Sequence, residues 1–160
     1  MKLNLLKALV LAWIVTGLQA CGDDPKPTTP KTDEEKAVEA LTGTGTQTWA
    51  VGGGGKVTKG GTDVTTEYAS FELVLNSVPS KSYTSKNSSD LFDANGSWTF
   101  AGSNFDKITL TGSKPAAGRE MSFTTSGSGL KLVFTIPSPG SRVKGTLAVA
   151  GDYVFDLVKK

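Results

Sequence analysis

Histidine is absent from the sequence, and this absence removes several kinds of chemistry at once. Without an imidazole the chain cannot build a Ser-His-Asp or Cys-His nucleophilic site, and it lacks the commonest ligand of transition metals. The chain also holds a single cysteine, Cys21, so an internal disulfide cannot form. We therefore expect neither a cofactor nor a metal site.

A strongly basic surface is missing as well, although the formal net charge is +2. Lys2 and Lys7 precede Cys21, whereas all 15 acidic residues follow it. The chain after Cys21 therefore carries equal numbers of acidic and basic side chains, without a Lys/Arg run of the kind that binds nucleic acid. Nucleic acid is not an expected partner.

Long apolar runs are limited to one segment near the N-terminus. Residues 1–7 include two lysines, and residues 8–18 are almost all apolar, which is the layout of a secretory signal. A helix over residues 8–20 would be about 20 Å long, whereas the apolar core of a bilayer is about 30 Å thick. Because of this mismatch, a cleaved signal is favoured over a permanent membrane anchor.

The apolar run ends in Leu18-Gln19-Ala20-Cys21, which resembles the lipobox of bacterial lipoproteins. The resemblance implies that a diacylglyceryl group is attached to the sulfur of Cys21 and that cleavage follows Ala20. Two or three acyl chains hold a protein on a membrane far more durably than one chain does. The motif therefore predicts a signal peptide over residues 1–20 and a membrane as partner of the lipid anchor.

Residues 21–32 are expected to form the acylated Cys and a disordered tether. This segment contains three prolines and almost no apolar side chain, so it cannot contribute to a core. Asp23 and Asp24 resemble the acidic signal that carries lipoproteins of the Bacteroidota to the outer face of the outer membrane. The resemblance implies a place in the cell envelope, and both the surface and the periplasmic face stay open.

A single domain is expected over residues 33–160, with one short helix followed by strands. Thr32 and Glu35 have the spacing of a capping box at a helix start. Farther along, apolar and polar residues alternate in about eight short segments bounded by turn residues. Because these segments are not separated by crossover helices, we expect an antiparallel sheet, closed as a barrel or split into two layers. The last strand, around Phe155, is expected beside the strand of Trp49.

Two glycine-containing stretches predict connections between strands. Residues 52–55 are four consecutive glycines, and with Gly60 and Gly61 they predict a mobile loop that includes residues 56–59. A phosphate-binding loop is disfavoured, because Val57 stands where the motif needs a hydroxyl. Asn95-Gly96 predicts a hairpin or turn.

Several short motifs resemble small lipocalin-like lipoproteins of the Bacteroidota. After the lipobox and the Pro/Thr linker come residues 41–49, ending in Trp49, then residues 96–100 (Gly-Ser-Trp-Thr-Phe) and residues 153–157 (Tyr-Val-Phe-Asp-Leu). In that family a Leu-x-Gly-x-Trp start, a Gly-x-Trp-x-Phe strand and a terminal Tyr-x-Phe-x-Leu strand recur. The resemblance implies a lipocalin-like antiparallel barrel, and it implies no particular activity.

Aromatic residues at strand positions are the candidates for lining a cavity. An eight-stranded barrel is either filled by its own side chains or holds one small ligand. Aromatic residues at alternating strand positions are more often plain core. A filled core and a cavity for a small apolar or sugar ligand therefore both stay open. The candidate residues are Trp49, Tyr83, Trp98, Phe100 and Phe134.

Carboxylates are the remaining candidates for catalysis or metal binding. Asp90, Asp93 and Asn95 resemble a fragment of a Ca²⁺ loop, but their spacing is irregular and the expected bidentate Glu is missing. A local turn explains these residues equally well. Acidic residues near strand ends fix no pair at the separations that glycoside hydrolysis needs, so solvated surface charge is favoured. These residues are Glu67, Glu72, Asp106 and Glu120.

Taken together, these features predict a membrane-anchored lipoprotein that is not an enzyme. Its domain would bind a small apolar ligand or an envelope protein. A structural or accessory subunit of an envelope complex, without a small ligand, is the alternative. A carboxylate-based hydrolase is the third and least favoured hypothesis.

Overall fold

The structure is a computed structural model, and it describes residues 30–138 and 149–160. Ala20, Cys21, Asp23 and Asp24 lie outside the described residues. The predictions of a signal peptide, a lipid attachment site and an export signal therefore stay predictions.

The described chain begins with one α-helix, α1 (Asp33–Thr42). Its first turn is the predicted capping box. The Thr32 hydroxyl accepts from the Glu35 N–H at 3.2 Å, and the Glu35 carboxylate accepts from the Thr32 N–H at 2.7 Å. These bonds satisfy two of the N–H groups that a helix start leaves without a partner, so the helix begins where the sequence indicates.

Ten strands follow in the described residues, and eight of them close into an antiparallel barrel. Around the barrel the order is β1-β4-β5-β6-β7-β8-β9-β10, and β1 pairs back with β10. The predicted lipocalin-like barrel with one short N-terminal helix is thereby confirmed. The strands are β1 (Thr46–Ala50), β2 (Lys56–Lys59), β3 (Thr62–Asp63), β4 (Glu72–Asn76), β5 (Ser82–Lys86), β6 (Asn95–Phe100), β7 (Lys107–Leu110), β8 (Met121–Ser126), β9 (Gly129–Ile136) and β10 (Gly151–Lys159).

The long strand β10 has two neighbours on one edge. Trp49 of β1 lies opposite Lys159, so the predicted pairing of the closing strand with the Trp49 strand is confirmed. Farther along the same edge, β2 pairs with residues 153–156. The mobile loop predicted over residues 56–59 is therefore wrong. Because β10 has nine residues, its edge extends beyond β1 and offers hydrogen bonds to a second strand, in which Val57 is fully buried.

The glycine run between β1 and β2 is a tight connection. The Gly55 N–H donates to the Val51 carbonyl at 2.8 Å, which returns the chain to the same edge of β10. A Cβ at Gly55 would lie 2.7–2.8 Å from backbone atoms of Asp156 and Val51. Only glycine fits such a close approach of three backbone segments.

Asn95 and Gly96 open strand β6, so the turn predicted from this dipeptide is wrong. They lie opposite Thr84 and Tyr83 of β5. A Cβ at Gly96 would lie 2.7 Å from the Tyr83 ring. The close Tyr83 ring therefore explains why this position is occupied by glycine, since the backbone of Gly96 is not in the left-handed region.

The two ends of the barrel are covered differently. We call the end where β1, β5, β7 and β9 begin the helix end, because α1 lies against it, and the opposite end the far end. At the far end, Leu91 and Phe92 of the loop that follows β5 are buried, and Phe92 packs on Phe71 with ring centroids 5.4 Å apart. The far end is therefore closed by apolar side chains from the loops.

Candidate binding face at the helix end

Lys81 lies at the centre of the helix end, immediately before β5. Its ammonium is 2.6 Å from Glu34 of α1, 4.9 Å from the centre of the Phe100 ring and 5.6 Å from that of Trp98. The Trp98 N–H donates to the Lys81 carbonyl at 3.2 Å, which extends the pairing of β5 and β6 beyond Ser82. One cation thus joins the helix to the aromatic side chains of the barrel mouth.

Three phenylalanines form a half-buried aromatic cluster beside Lys81. Phe100 contacts Phe105 with ring centroids 5.2 Å apart and Phe123 at 6.3 Å. Phe105 belongs to the loop between β6 and β7. Asp106 follows Phe105 in this loop, and its carbonyl accepts from the backbone N–H of Phe123 at 2.9 Å. This hydrogen bond holds the β6–β7 loop against β8.

Phe105 holds its ring on this cluster with an unusual backbone. Its φ is 55°, in the left-handed region that a bulky side chain rarely adopts. Such a conformation costs on the order of 1–3 kcal/mol and persists where surrounding contacts impose it. The ring contact with Phe100 and the bond from Phe123 to Asp106 are contacts of that kind.

Val78 projects from the turn between β4 and β5 at the same end. It is 68% exposed, and Val133 at 42% is the other large apolar side chain that is exposed among the described residues. Pro79, next to Val78, is exposed too. We define the helix-end face as Val78, Lys81, Phe100, Phe105 and Phe123. It combines apolar surface with one cation.

An open groove of about 470 Å³ runs beside this face, between α1 and the β4–β5 turn. Val38 and Gly45 supply apolar and backbone surface, and Lys81 forms its border with the aromatic cluster. The groove also contains Glu35, whose pKa is lowered because its carboxylate accepts hydrogen bonds from Thr32. The groove has the volume of a small-molecule site, although it is open to solvent.

Four of the five predicted cavity residues are buried, and their polar atoms have partners inside the protein. The Trp49 indole N–H donates to the Leu41 carbonyl at 2.9 Å, and the Trp98 indole N–H donates to the Asn76 carbonyl at 2.8 Å. The Tyr83 hydroxyl donates to the Thr111 carbonyl at 2.7 Å. Phe134 is stacked on Tyr153, with centroids 5.4 Å apart.

This burial bears on what the barrel can hold. Trp49 and Trp98 have no surface accessible to water, and a side chain without such surface lines no water-sized void. Phe100 alone of the five is half-buried, because it lies at the mouth. A ligand cavity stays a prediction, and it requires these side chains to move apart.

The suspected calcium fragment is a link between two loops. The Asp93 carboxylate accepts from the backbone N–H groups of Ser113 at 2.9 Å and Lys114 at 2.8 Å. Asp90 is paired with the Lys114 ammonium at 2.8 Å. Burial acts to raise the pKa of Asp93, but the hydrogen bonds from Lys114 and Ser113 together lower it below its usual value. The described residues include no cluster of three or more acidic or Cys side chains fit for a metal ion.

Two of the other predicted carboxylates are paired with lysines. Glu72 is paired with Lys160, and this contact lowers its pKa. Glu120 is paired with Lys107 at 3.0 Å. A general acid needs a raised pKa, whereas each carboxyl group with a shifted pKa in the described ranges is shifted downward. These groups are Asp33, Glu35, Asp63, Glu72, Asp90 and Asp93.

Sequence reasoning missed most of the helix-end face. Phe100 was the one member among the predicted candidates, whereas Val78, Lys81, Phe105 and Phe123 were not singled out. Phe123 alternates with Met121 on β8, so its inward direction could have been found from the pattern. The position of Phe105 depends on a loop conformation that no sequence periodicity indicates.

Comparison with known proteins found no matching family model, no matching curated protein and no matching solved structure. What this protein does has to be inferred from its own residues. Within the part of the chain that the structure describes, no helix has the length and apolar character that crossing a bilayer demands.

Proposed function

We propose that this chain is a bacterial lipoprotein, anchored by an acylated Cys21 after cleavage at Ala20. Residues 1–20 would be the signal peptide, residues 21–32 the tether and residues 33–160 the domain. The support is the agreement of a charged start, a short apolar run and the lipobox at its end. An internal disulfide cannot use Cys21, since it is the chain's one cysteine.

The domain is proposed to be a non-enzymatic binding or interaction module. The observation that carries this function is the helix-end face, where Val78 and three phenylalanines stay partly exposed around Lys81. Apolar side chains left exposed next to one another are typical of a surface that contacts another molecule. The lowered pKa values of the carboxyl groups support a role without acid catalysis.

The proposed location is the outer membrane of the cell envelope. The support for it is a resemblance to small lipocalin-like lipoproteins of the Bacteroidota, in the motifs around Trp49, Trp98 and Phe155. Asp23 and Asp24 favour export to the outer face over the periplasmic face. Protease treatment of intact cells tests this orientation, because a protein on the outer face is degraded and one on the inner face is protected.

The lipid anchor is tested by metabolic labelling. We expect radiolabelled palmitate to enter the wild-type chain and to be absent from a Cys21→Ala variant, which also keeps its uncleaved signal peptide. Gln19→Ala is the matched control, because it keeps the lipobox and should keep both the label and the membrane location. Labelling of the Cys21→Ala chain would contradict the anchor.

A structural or accessory subunit of an envelope complex is the second candidate. The packed core favours it, since Trp49 and Trp98 leave no water-sized void beside them for a ligand. Native mass spectrometry of the purified protein separates the two functions. A retained small molecule indicates ligand binding, whereas an unliganded mass with a co-purified envelope protein indicates the subunit.

A further inference from the structure

The start of the domain is fixed beside the helix-end face. The ion pair between Glu34 and Lys81 joins the first turn of α1 to the barrel mouth. Lys31, just before the helix, is paired with Glu39 on the same helix and lines the groove next to Lys81. The chain therefore enters the domain at the helix end and not at the far end.

The chain available between the proposed anchor and this entry is short. Nine residues, 22–30, separate Cys21 from Lys31, so the two are ten residue steps apart. Fully extended, these steps span at most about 35 Å. The helix end is thus the end of the domain to which the tether is attached, and it can reach the bilayer within that span.

The side chains at this end suit the boundary between lipid headgroups and acyl chains. Val78 is 68% exposed at a turn tip, and the rings of Phe100, Phe105 and Phe123 are half-buried at the same end of the barrel. Exposed apolar and aromatic side chains beside lysine stems are typical of proteins that lie on this boundary. By contrast, Val133, the other exposed large apolar residue of the described chain, lies on the barrel wall opposite Ser122 and Val154.

The charges at the helix end indicate which lipid surface fits. Lys31, Lys81 and Lys107 are each paired with a glutamate, at Glu39, Glu34 and Glu120 respectively. A surface whose cations are compensated in this way has little attraction for anionic lipid beyond that for neutral lipid. Contact would therefore depend on apolar insertion.

We propose that the helix-end face docks on the bilayer that holds the Cys21 anchor, with Val78 and the Phe105 ring inserted among zwitterionic headgroups. The inference rests on the proposed lipid anchor and adds an orientation to it. With the helix end on the lipid, the far end and the barrel wall face away from the membrane. The molecule that the helix-end face contacts would then be the lipid itself.

Single thiols with an environment-sensitive fluorophore test this orientation in the full acylated protein. Acylation consumes the thiol of Cys21, so Val78→Cys and Val133→Cys each introduce one free thiol. Both positions are exposed, so both substitutions are expected to leave the fold intact. The labelled proteins are reconstituted into phosphatidylcholine vesicles, with and without bromine on the acyl chains.

We expect the probe at position 78 to shift its emission to shorter wavelength and to be quenched several-fold more strongly by brominated lipid than the probe at 133. Equal behaviour of the two probes in protein that floats with the vesicles overturns the orientation and leaves the anchor intact. Protein that does not float, with a Cys21 thiol that still reacts, overturns the anchor and the orientation together.

A second copy of the chain is the other occupant that the experiment can reveal. In a Cys21→Ala, Val78→Cys chain that begins at residue 21 and carries neither signal peptide nor lipid, the label should be exposed to water. A blue-shifted emission there, which weakens on dilution, shows that this face binds another copy and overturns the lipid contact.

Discussion

Asp93 links the two loops that close the far end of the barrel. Its carboxylate accepts two backbone N–H groups and the Ser113 hydroxyl, the latter at 3.1 Å. Gly112 lies so close that a Cβ there would be 2.0 Å from this carboxylate. We expect Asp93→Ala to lower the free energy of unfolding by about 1–2 kcal/mol, because it removes the shared acceptor from a partly solvated site.

Chemical denaturation checks this expectation, with Asp90→Asn as the control. Asp90 lies in the same loop, but its side chain is 87% exposed and its contact is a surface ion pair with Lys114. Such pairs contribute little in water, so the control should unfold like the wild-type protein. Equal stability of Asp93→Ala and the control would show that the link does not hold the loops.

Individual residues differ in how far the sequence could predict them. The capping box of Thr32 and Glu35 depends on a spacing of three residues, so local rules were sufficient. The contacts of Lys81 depend on how α1 packs next to the start of β5, which no local sequence rule specifies. Its role as the link between Glu34 and Phe100 becomes visible only when the strands are assembled.

At the scale of elements, the connection between β1 and β2 makes the most specific prediction. A side chain at Gly55 would meet three backbone atoms at 2.7–2.8 Å, so Gly55→Ala must displace either β10 or the end of β1. We expect it to lower the free energy of unfolding by about 1–3 kcal/mol, the usual cost of forcing extra volume into a packed site.

Gly52→Ala is the matched control in the same glycine run. The nearest atom to its Cβ would be the Ala69 carbonyl oxygen at 3.6 Å, an ordinary contact, and its backbone is not in the left-handed region. Thermal unfolding should therefore show little change for Gly52→Ala and a clear drop for Gly55→Ala. Similar drops for both would mean that the run needs glycine for flexibility and not for close approach.

The elements that the sequence predicted well are those with alternating apolar residues. In β9 the apolar residues at alternating positions all face the barrel core, as their alternation indicates; they are Leu130, Leu132, Phe134 and Ile136. Strand β2 was missed because Val57 is its one apolar member and glycines flank it. Its conformation is set by the free edge of β10, a neighbour almost a hundred residues away in the chain. A contact of that range is invisible to local propensity.

For the whole molecule, the ionisable groups predict how stability depends on pH at the two extremes. The carboxyl pKa values that depart from the usual 3.8 or 4.5 are lowered in the fold, so these groups stabilise it above those values. That stability is lost as the pH falls through the lowered pKa values. Lys107 and Lys114 have pKa values raised above 10.5, so their contribution is lost as the pH rises through the raised values.

Between these extremes the absence of histidine becomes a measurable property. Histidine is the side chain whose ordinary pKa places its charge change between about pH 5 and 8. Because the chain has none, and its acylated N-terminus would carry no amine to titrate, unfolding should release or bind almost no protons in that window.

We expect the melting temperature of the acylated protein to be flat from about pH 5.5 to 8 and to fall below about pH 4. Calorimetry at constant ionic strength measures this. A slope within this window would contradict the expectation, because it would show that some group titrates there with different pKa values in the folded and the unfolded chain.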